Sequence, residues 1–121
     1  MDEQPTRHTT TELDDGVVRL SVSGTLDAAT HRPVLTELDT VFETGPAGVV
    51  LDLRAVDFMG SVGIAMLVNA RHRANRLRIP LAIVADSRPV LRPLQMSQVD
   101  GALPLHPTVD AALAAIRVAA P

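Results

Sequence analysis

The sequence predicts a single α/β domain in which a mixed sheet, an N-terminal hairpin followed by parallel strands, is covered by about four α-helices. Three observations carry that prediction. Asp14-Asp15-Gly16 is a turn signature between two β-compatible runs. Val49 to Leu53 is a near-continuous apolar run broken only by Asp52, the pattern of a strand covered on both faces. Beyond it, apolar runs and helical periodicities alternate along the chain, as in units of strand, helix and parallel strand.

Each element has its own signal. Met1 to Arg7 is polar with nothing to bury and is expected to be a disordered tail, leaving a domain over residues 8–118 and a short C-terminal tail at 119–121. His8 to Leu13 and Val17 to Val22 form the hairpin, with Val18, Leu20 and Val22 facing one way. Gly24-Thr25-Leu26-Asp27 ends that strand, and a helix begins near Thr30, with Pro33 accommodated in its first turn. Val34, Leu35, Leu38, Val41 and Phe42 lie on one helical face, and Gly45-Pro46 stops the helix. The central strand gives way to a turn from Arg54 to Gly60 and then to a second helix opening at Ser61, where Leu67, Ala70, Ala74 and Leu77 recur three and four apart. Arg71, Arg73, Arg76 and Arg78 gather toward its C-terminal end as a solvated face that complements the helix dipole. Pro80 to Ala85 is the next strand. Asp86-Ser87-Arg88-Pro89 caps a short helix carrying Val90, Leu91 and Leu94, which Pro93 kinks or ends early. Leu103 to His106 is a brief last strand, and Thr108 caps a final helix with Val109, Ala112, Leu113 and Ile116 on one face.

Composition excludes several classes of function. A chain of 121 residues builds one sizeable core, not two. It has no apolar run of about eighteen residues and no charged-then-apolar leader, so neither a membrane span nor a signal peptide is expected and the compartment is cytoplasmic. Without cysteine there are no disulfides, thiolate metal sites or thiol nucleophiles. A formal charge of −3, with no Trp or Tyr and only two Phe, offers neither attraction to nucleic acid nor a stacking platform for bases. All eleven basic residues are Arg, so a lysine-bearing phosphate loop is ruled out.

Catalytic chemistry is equally thin. His8, His31, His72 and His106 are scattered and lack the spacing of a helix-borne metal site; no metal or cofactor is expected. Gly60-Ser61-Val62-Gly63 is not the glycine-x-serine-x-glycine elbow of an esterase, because its glycines lie at −1 and +2 about the serine. Asp52 and Asp57 lie near the C-terminal edge of the central strand, where open α/β sheets place their sites, but no base is paired with Ser61 in sequence and a hydrolase ranks last. No catalytic residue is assigned.

Ser61 is the residue with a choice of roles. It stands where an N-cap belongs, although Ile64 in place of Glu or Gln removes the reciprocal half of a capping box. The same place tolerates an anion. A helix N-terminus carries roughly half a positive charge with free N–H donors. A phosphate on Ser61 would add about −1.5 to −2 charges there without unfolding the domain. On these physical preferences alone the plain cap ranks ahead of the switch.

Gly24-Thr25-Leu26-Asp27 followed by a helix, then Val49-Val50-Leu51-Asp52-Leu53, Val56-Asp57-Phe58-Met59, Ser61, Gly63 and Leu67 together resemble the STAS domain of anti-sigma factor antagonists and sulfate transporters, over about His8 to Val118. The resemblance implies an antagonist that binds an anti-sigma factor, itself a serine kinase, and so frees a sigma factor. It also implies phosphorylation at the position of Ser61 that breaks the complex, and a phosphatase that restores it. In that family the loop reads aspartate-serine-serine-glycine. Here Gly60 replaces the aspartate and Val62 the second serine, which removes a charge beside the phosphosite and loosens the backbone.

The resulting expectation is a protein-binding switch and not an enzyme. Its partner surface joins Gly24, Thr25, Leu26 and Asp27 to Asp57, Met59, Gly60, Val62 and Gly63, with Ser61 in the middle. Two other readings stay open: a phosphorylation-independent STAS scaffold or subunit of a regulatory or transport assembly, and a module that binds a nucleotide or other anion at the Ser61 helix N-terminus.

Overall fold

The computed structural model describes residues 6–119. Residues 1–5 and 120–121, the greater part of the two expected tails, lie outside the described residues. Strand β1 (Arg7–Glu12) and strand β2 (Val17–Leu26) form the antiparallel hairpin, joined through a short 3-10 turn at Asp14–Gly16. There follow α1 (His31–Glu43), β3 (Gly48–Met59), α2 (Ser61–Leu77), β4 (Leu81–Val84), α3 (Arg88–Met96), β5 (Leu105–His106) and α4 (Val109–Ala119). The sheet runs β1-β2-β3-β4-β5, with every pair after the hairpin parallel. The mixed sheet and the four helices are those read from the sequence.

Each parallel connection advances the sheet by one strand in the same direction. With a constant hand of crossover, the three connecting helices fall on one face. The larger core follows: Leu20, Val22, Val49, Leu51 and Leu53 meet Val34 and Leu38 of α1, Leu67 of α2, and Val90 and Leu94 of α3. The other face is left to α4, whose Ala112 and Ile116 cover Val17, Val50, Ala82 and Val84. Each large side chain removed from water in these layers contributes roughly 1.5–3 kcal/mol. Helix α4 lies close, for a Cβ on Gly48 would stand 2.6 Å from Ile116 Cγ2. Thr108 Oγ1 accepts the Ala111 N–H at 3.0 Å, the cap expected of it.

Beyond the reach of α4 the same sheet face turns polar. Asp52, only 4 % exposed, is the one buried charged residue among those described. Arg54 donates to it through Nε at 2.9 Å and Nη2 at 2.8 Å, and Arg19 through Nη2 at 2.8 Å. Burial raises its pKa, but the hydrogen bonds and charge of Arg54, joined by Arg19, outweigh this and hold the carboxyl below the ordinary value of 3.8. Asp52 is therefore a cross-strand pin between β2 and β3 and not half of a carboxylate site.

Six sequence expectations are corrected. The central strand does not stop at Leu53: Arg54 to Met59, read as a turn, is strand, and β2 likewise runs on from Val22 to Leu26. The two continue pairing, Ser23 with Ala55, Gly24 with Val56, Thr25 with Phe58 and Leu26 with Met59, across two register shifts that no apolar periodicity announces. Ser61 is not the N-cap of α2; Gly60 is, and Ser61 is the first helical residue. The arginines of α2 are not all a solvated face, because Arg71 donates to Ala102 O at 2.7 Å while Arg73 pairs with Asp39 and lies 5.3 Å from the Phe42 ring centre. Pro93 does not end α3, which continues to Met96, and β5 is shorter than Leu103 to His106 because the Leu103 N–H is given to Asp100 O, closing the 3-10 turn of Asp100–Ala102.

Two measurements check this packing. Gly48→Ala is expected to lower stability by about 1–3 kcal/mol, seen as a lower urea midpoint at unchanged slope, with Gly48→Ala/Ile116→Ala less destabilised than the sum of the singles. An unchanged midpoint would mean that α4 stands off β3. Asp52→Asn is expected to cost about 1–3 kcal/mol at neutral pH. A carboxyl more acidic folded than unfolded stabilises above its unfolded pKa and loses that contribution as pH falls through the folded one. The gap between wild type and Asp52→Asn in urea melts should therefore narrow below about pH 4; a gap independent of pH would contradict the charge pairing.

Candidate functional site

The C-terminal ends of β2 and β3 and the first turn of α2 meet at one edge of the sheet, and the two register shifts shape it. Asp57 has no partner in the register: Gly24 pairs with Val56 and Thr25 with Phe58. A residue inserted in this way breaks the alternation of a strand. Simple alternation would turn either Asp57 or Phe58 inward, yet both are exposed, with Val56 and Met59 buried on either side. Gly24, at φ 90°, supplies the matching irregularity in β2. The Thr25 hydroxyl lies 3.4 Å from Asp57 Oδ1, a long contact between the ends of the two strands.

The loop leaving β2 is held by Asp27 and Thr30. Asp27 Oδ1 accepts the N–H groups of Ala29 at 2.9 Å and Thr30 at 3.1 Å, the geometry of an Asx turn. The Thr30 hydroxyl donates to Thr25 O at 2.6 Å and accepts the Asp27 N–H at 3.0 Å. The Asp27 carboxylate is thus spent on starting α1, so its role at this edge is to shape the loop.

The Gly60 N–H donates to Leu26 O at 2.9 Å, and Gly60 O accepts the Ile64 N–H at 3.2 Å. With Gly60 in the capping place, the Ser61 side chain is released from it. Ser61 is exposed, and among the described residues its hydroxyl makes no hydrogen bond. The N–H groups ahead of Ile64 have no partner inside the helix. Gly63 lets the first turn of α2 settle onto the strands: a Cβ there would lie 3.2 Å from both Leu26 O and Met59 Cγ.

The residues expected at the partner surface are therefore brought together, in two layers. Ser61 and Asp57 are exposed, and Gly24, Thr25, Asp27, Gly60 and Val62 are half-buried. Leu26, Met59 and Gly63 are buried beneath them and support the surface from within. Phe58, which lies within the Asp57 to Gly63 stretch but is not singled out by the sequence, is 53 % exposed, and the outer face of α3 has no part in the expected surface. Phe58 and Asp57 border an open groove of about 550 Å³ whose far wall is Arg88, Pro89, Arg92, Pro93 and Met96. A signal for that wall was present, because Arg-Pro recurs at a spacing of four in Arg88-Pro89 and Arg92-Pro93, a helical repeat opposite Val90 and Leu94.

No three metal-ligating side chains cluster among the described residues, and none of them has a helix long and apolar enough to cross a membrane. Nor is a base hydrogen-bonded to Ser61 among them. The site offers an exposed hydroxyl at a helix start.

Comparison with known proteins identifies the family and the fold. The chain matches the model of the STAS domain over residues 8–112. It is 30 % identical over 109 residues to the anti-sigma-F factor antagonist RsfA of Mycobacterium tuberculosis, covering 88 % of this chain and 84 % of that protein. It is also 30 % identical over 103 residues to RsfB of the same organism, another anti-sigma-F factor antagonist, with 85 % and 84 % covered. A crystal structure of an anti-sigma factor antagonist from Mycobacterium paratuberculosis superposes with a TM-score of 0.85 at 32 % identity, over 93 % of this chain and 94 % of the other. Unphosphorylated SpoIIAA, at 15 % identity, shares the fold with a TM-score of 0.76 over 93 % of this chain and 97 % of its own. With the family model matched over most of the chain and the five-stranded mixed sheet shared with solved members of the fold, the chain belongs to the STAS domain family.

Proposed function

We propose that this chain is an anti-sigma factor antagonist, a cytoplasmic protein-binding switch without catalytic activity of its own. It binds an anti-sigma factor across the edge formed by Gly24 to Asp27, Asp57 to Gly63 and the start of α2, and thereby frees a sigma factor. The serine kinase activity of that partner phosphorylates Ser61 and ends the complex, and a phosphatase resets it. The observation that carries this reading is the placement of Ser61: exposed, at the first position of α2, its hydroxyl unused by the fold. The antagonist names of the relatives from M. tuberculosis support the same role.

The physics of the switch is local. A dianion at Ser61 faces the unpaired N–H groups of the first turn, so the domain tolerates it. A partner packed against the same atoms would have to bury that dianion or meet it with like charge. One feature favours a second reading, a STAS scaffold that binds without phosphorylation: Gly60 and Val62 remove the acid and the second hydroxyl beside Ser61.

Binding of purified anti-sigma factors from the source organism, followed by intact-mass analysis after incubation with ATP, separates the two. A single added phosphate on Ser61 with release of the partner is expected. A stable complex with no added mass would establish the scaffold. Ser61→Asp is expected to weaken the complex by about tenfold or more, while Ser61→Ala binds like wild type and stays bound in ATP. Equal affinity of the two variants would rule out the switch.

A further inference from the structure

We infer that the groove between Phe58 and α3 receives a segment of the protein partner in which an apolar side chain is flanked by carboxylates. The inference rests on the antagonist reading and extends the contact surface to α3, which that reading does not include.

Three observations carry it. The first is the exposure of Phe58. The chain has two Phe and neither Trp nor Tyr; Phe42 is buried under Arg73, whereas the unmatched Asp57 in β3 leaves Phe58 53 % exposed. Bulges that re-aim a side chain cluster at functional edges, and aromatic side chains that become buried on association carry a large share of binding energy. The second is the opposite wall. Pro89, Pro93 and Met96 present carbon to the groove, and Met96 is 73 % exposed. Phe58 and Met96 thus place two of the large exposed apolar side chains of the described residues on one groove.

The third is charge. The chain as a whole carries −3, yet the groove is bounded by Arg88 and Arg92 against the single carboxylate of Asp57. Among the described residues neither guanidinium takes part in an ion pair. A partner that brings carboxylates to these two arginines and an apolar side chain between Phe58 and Met96 matches the groove in both respects. A second copy of this chain matches it poorly, since a twofold contact of this face with itself sets the same arginines against each other.

The groove also bears on regulation. Ser61 follows Met59, which lines the groove, by two residues, so at most about 7 Å of backbone separates the two. Carboxylates held by Arg88 and Arg92 would then share one contact surface with a dianion on Ser61. Release follows from repulsion between partner and phosphate, with no change of shape in the domain.

The test uses the full chain and the anti-sigma factor that binds wild type in the assay above. Arg88→Glu/Arg92→Glu is expected to weaken binding about tenfold or more at about 0.05 M salt, with the difference shrinking at about 0.5 M. Phe58→Ser should weaken it about tenfold at both salt concentrations. Arg76→Glu/Arg117→Glu, the same change of net charge elsewhere, should bind like wild type, and thermal melts of each variant check folding. If the groove variants bind like wild type while Ser61→Asp does not, the inference falls and the antagonist reading stands. If wild type binds no anti-sigma factor, both fall. Wild-type dimers that Phe58→Ser dissociates, or wild-type binding to anionic vesicles that the double arginine variant abolishes, would assign the groove to another occupant and overturn the inference.

Discussion

The ladder between β2 and β3 is the constraint on which the rest of this molecule depends. It is the longest pairing in the sheet, joining Val17 with Gly48 at one end and Leu26 with Met59 at the other. At its start it lays Val17 and Val50 under α4 and Leu20, Leu51 and Leu53 under the three connecting helices. At its end it sets the loop that starts α1 beside the turn that starts α2. Because the strands stay paired to their last residues, the Gly60 N–H reaches Leu26 O and the first turn of α2 is locked to β2 through backbone. Serine position is thereby a property of the sheet and not of a mobile loop.

Asp52 links the two regions. Where α4 no longer covers the sheet, a buried carboxylate would be costly without partners, and Arg19 and Arg54 supply them from neighbouring positions on both strands. The pin lies just before the first register shift, so the straight part of the ladder is secured where the irregular part begins. In the irregular part, residues that strict alternation would send to opposite faces both reach solvent, first Arg54 and Ala55, then Asp57 and Phe58. The strand becomes a display element at the end that needs one.

The consequence for function is an edge with a division of labour. Leu26, Met59 and Gly63 hold it up from beneath, and Asp27 and Thr30 fix the adjoining loop through hydrogen bonds. Ser61 is left free because Gly60 takes over the capping position with its backbone alone. A hydroxyl engaged as a cap would be withheld from a modifying partner, and a bulky Gly60 replacement would approach Asp27 Cβ, 3.5 Å from the site of its own Cβ. That distance is ordinary van der Waals contact, so space alone does not require glycine at this position, and what glycine in place of an acid removes is charge.

The sequence by itself determined the class of fold, the order of elements and the identity of the main core. Apolar periodicity is local, and it marked Val34, Leu38, Val41 and Phe42, Leu67 with Ala70 and Ala74, and Ala112 with Ile116 as buried faces. The motif around Ser61 and its family followed from the same stretch. Tertiary structure alone decided where β3 ends, which residue caps α2 and which side chains of the motif face outward. Register shifts between strands distant in sequence leave no periodic trace, since Asp57 is unmatched only in relation to Gly24 and Thr25. The same holds for Asp52, whose role depends on an arginine from another strand, and for the groove, whose walls meet only when α3 packs beside the end of β3. Local pattern specifies which face of an element seeks burial; what the other face comes to stand beside is a matter of long-range packing.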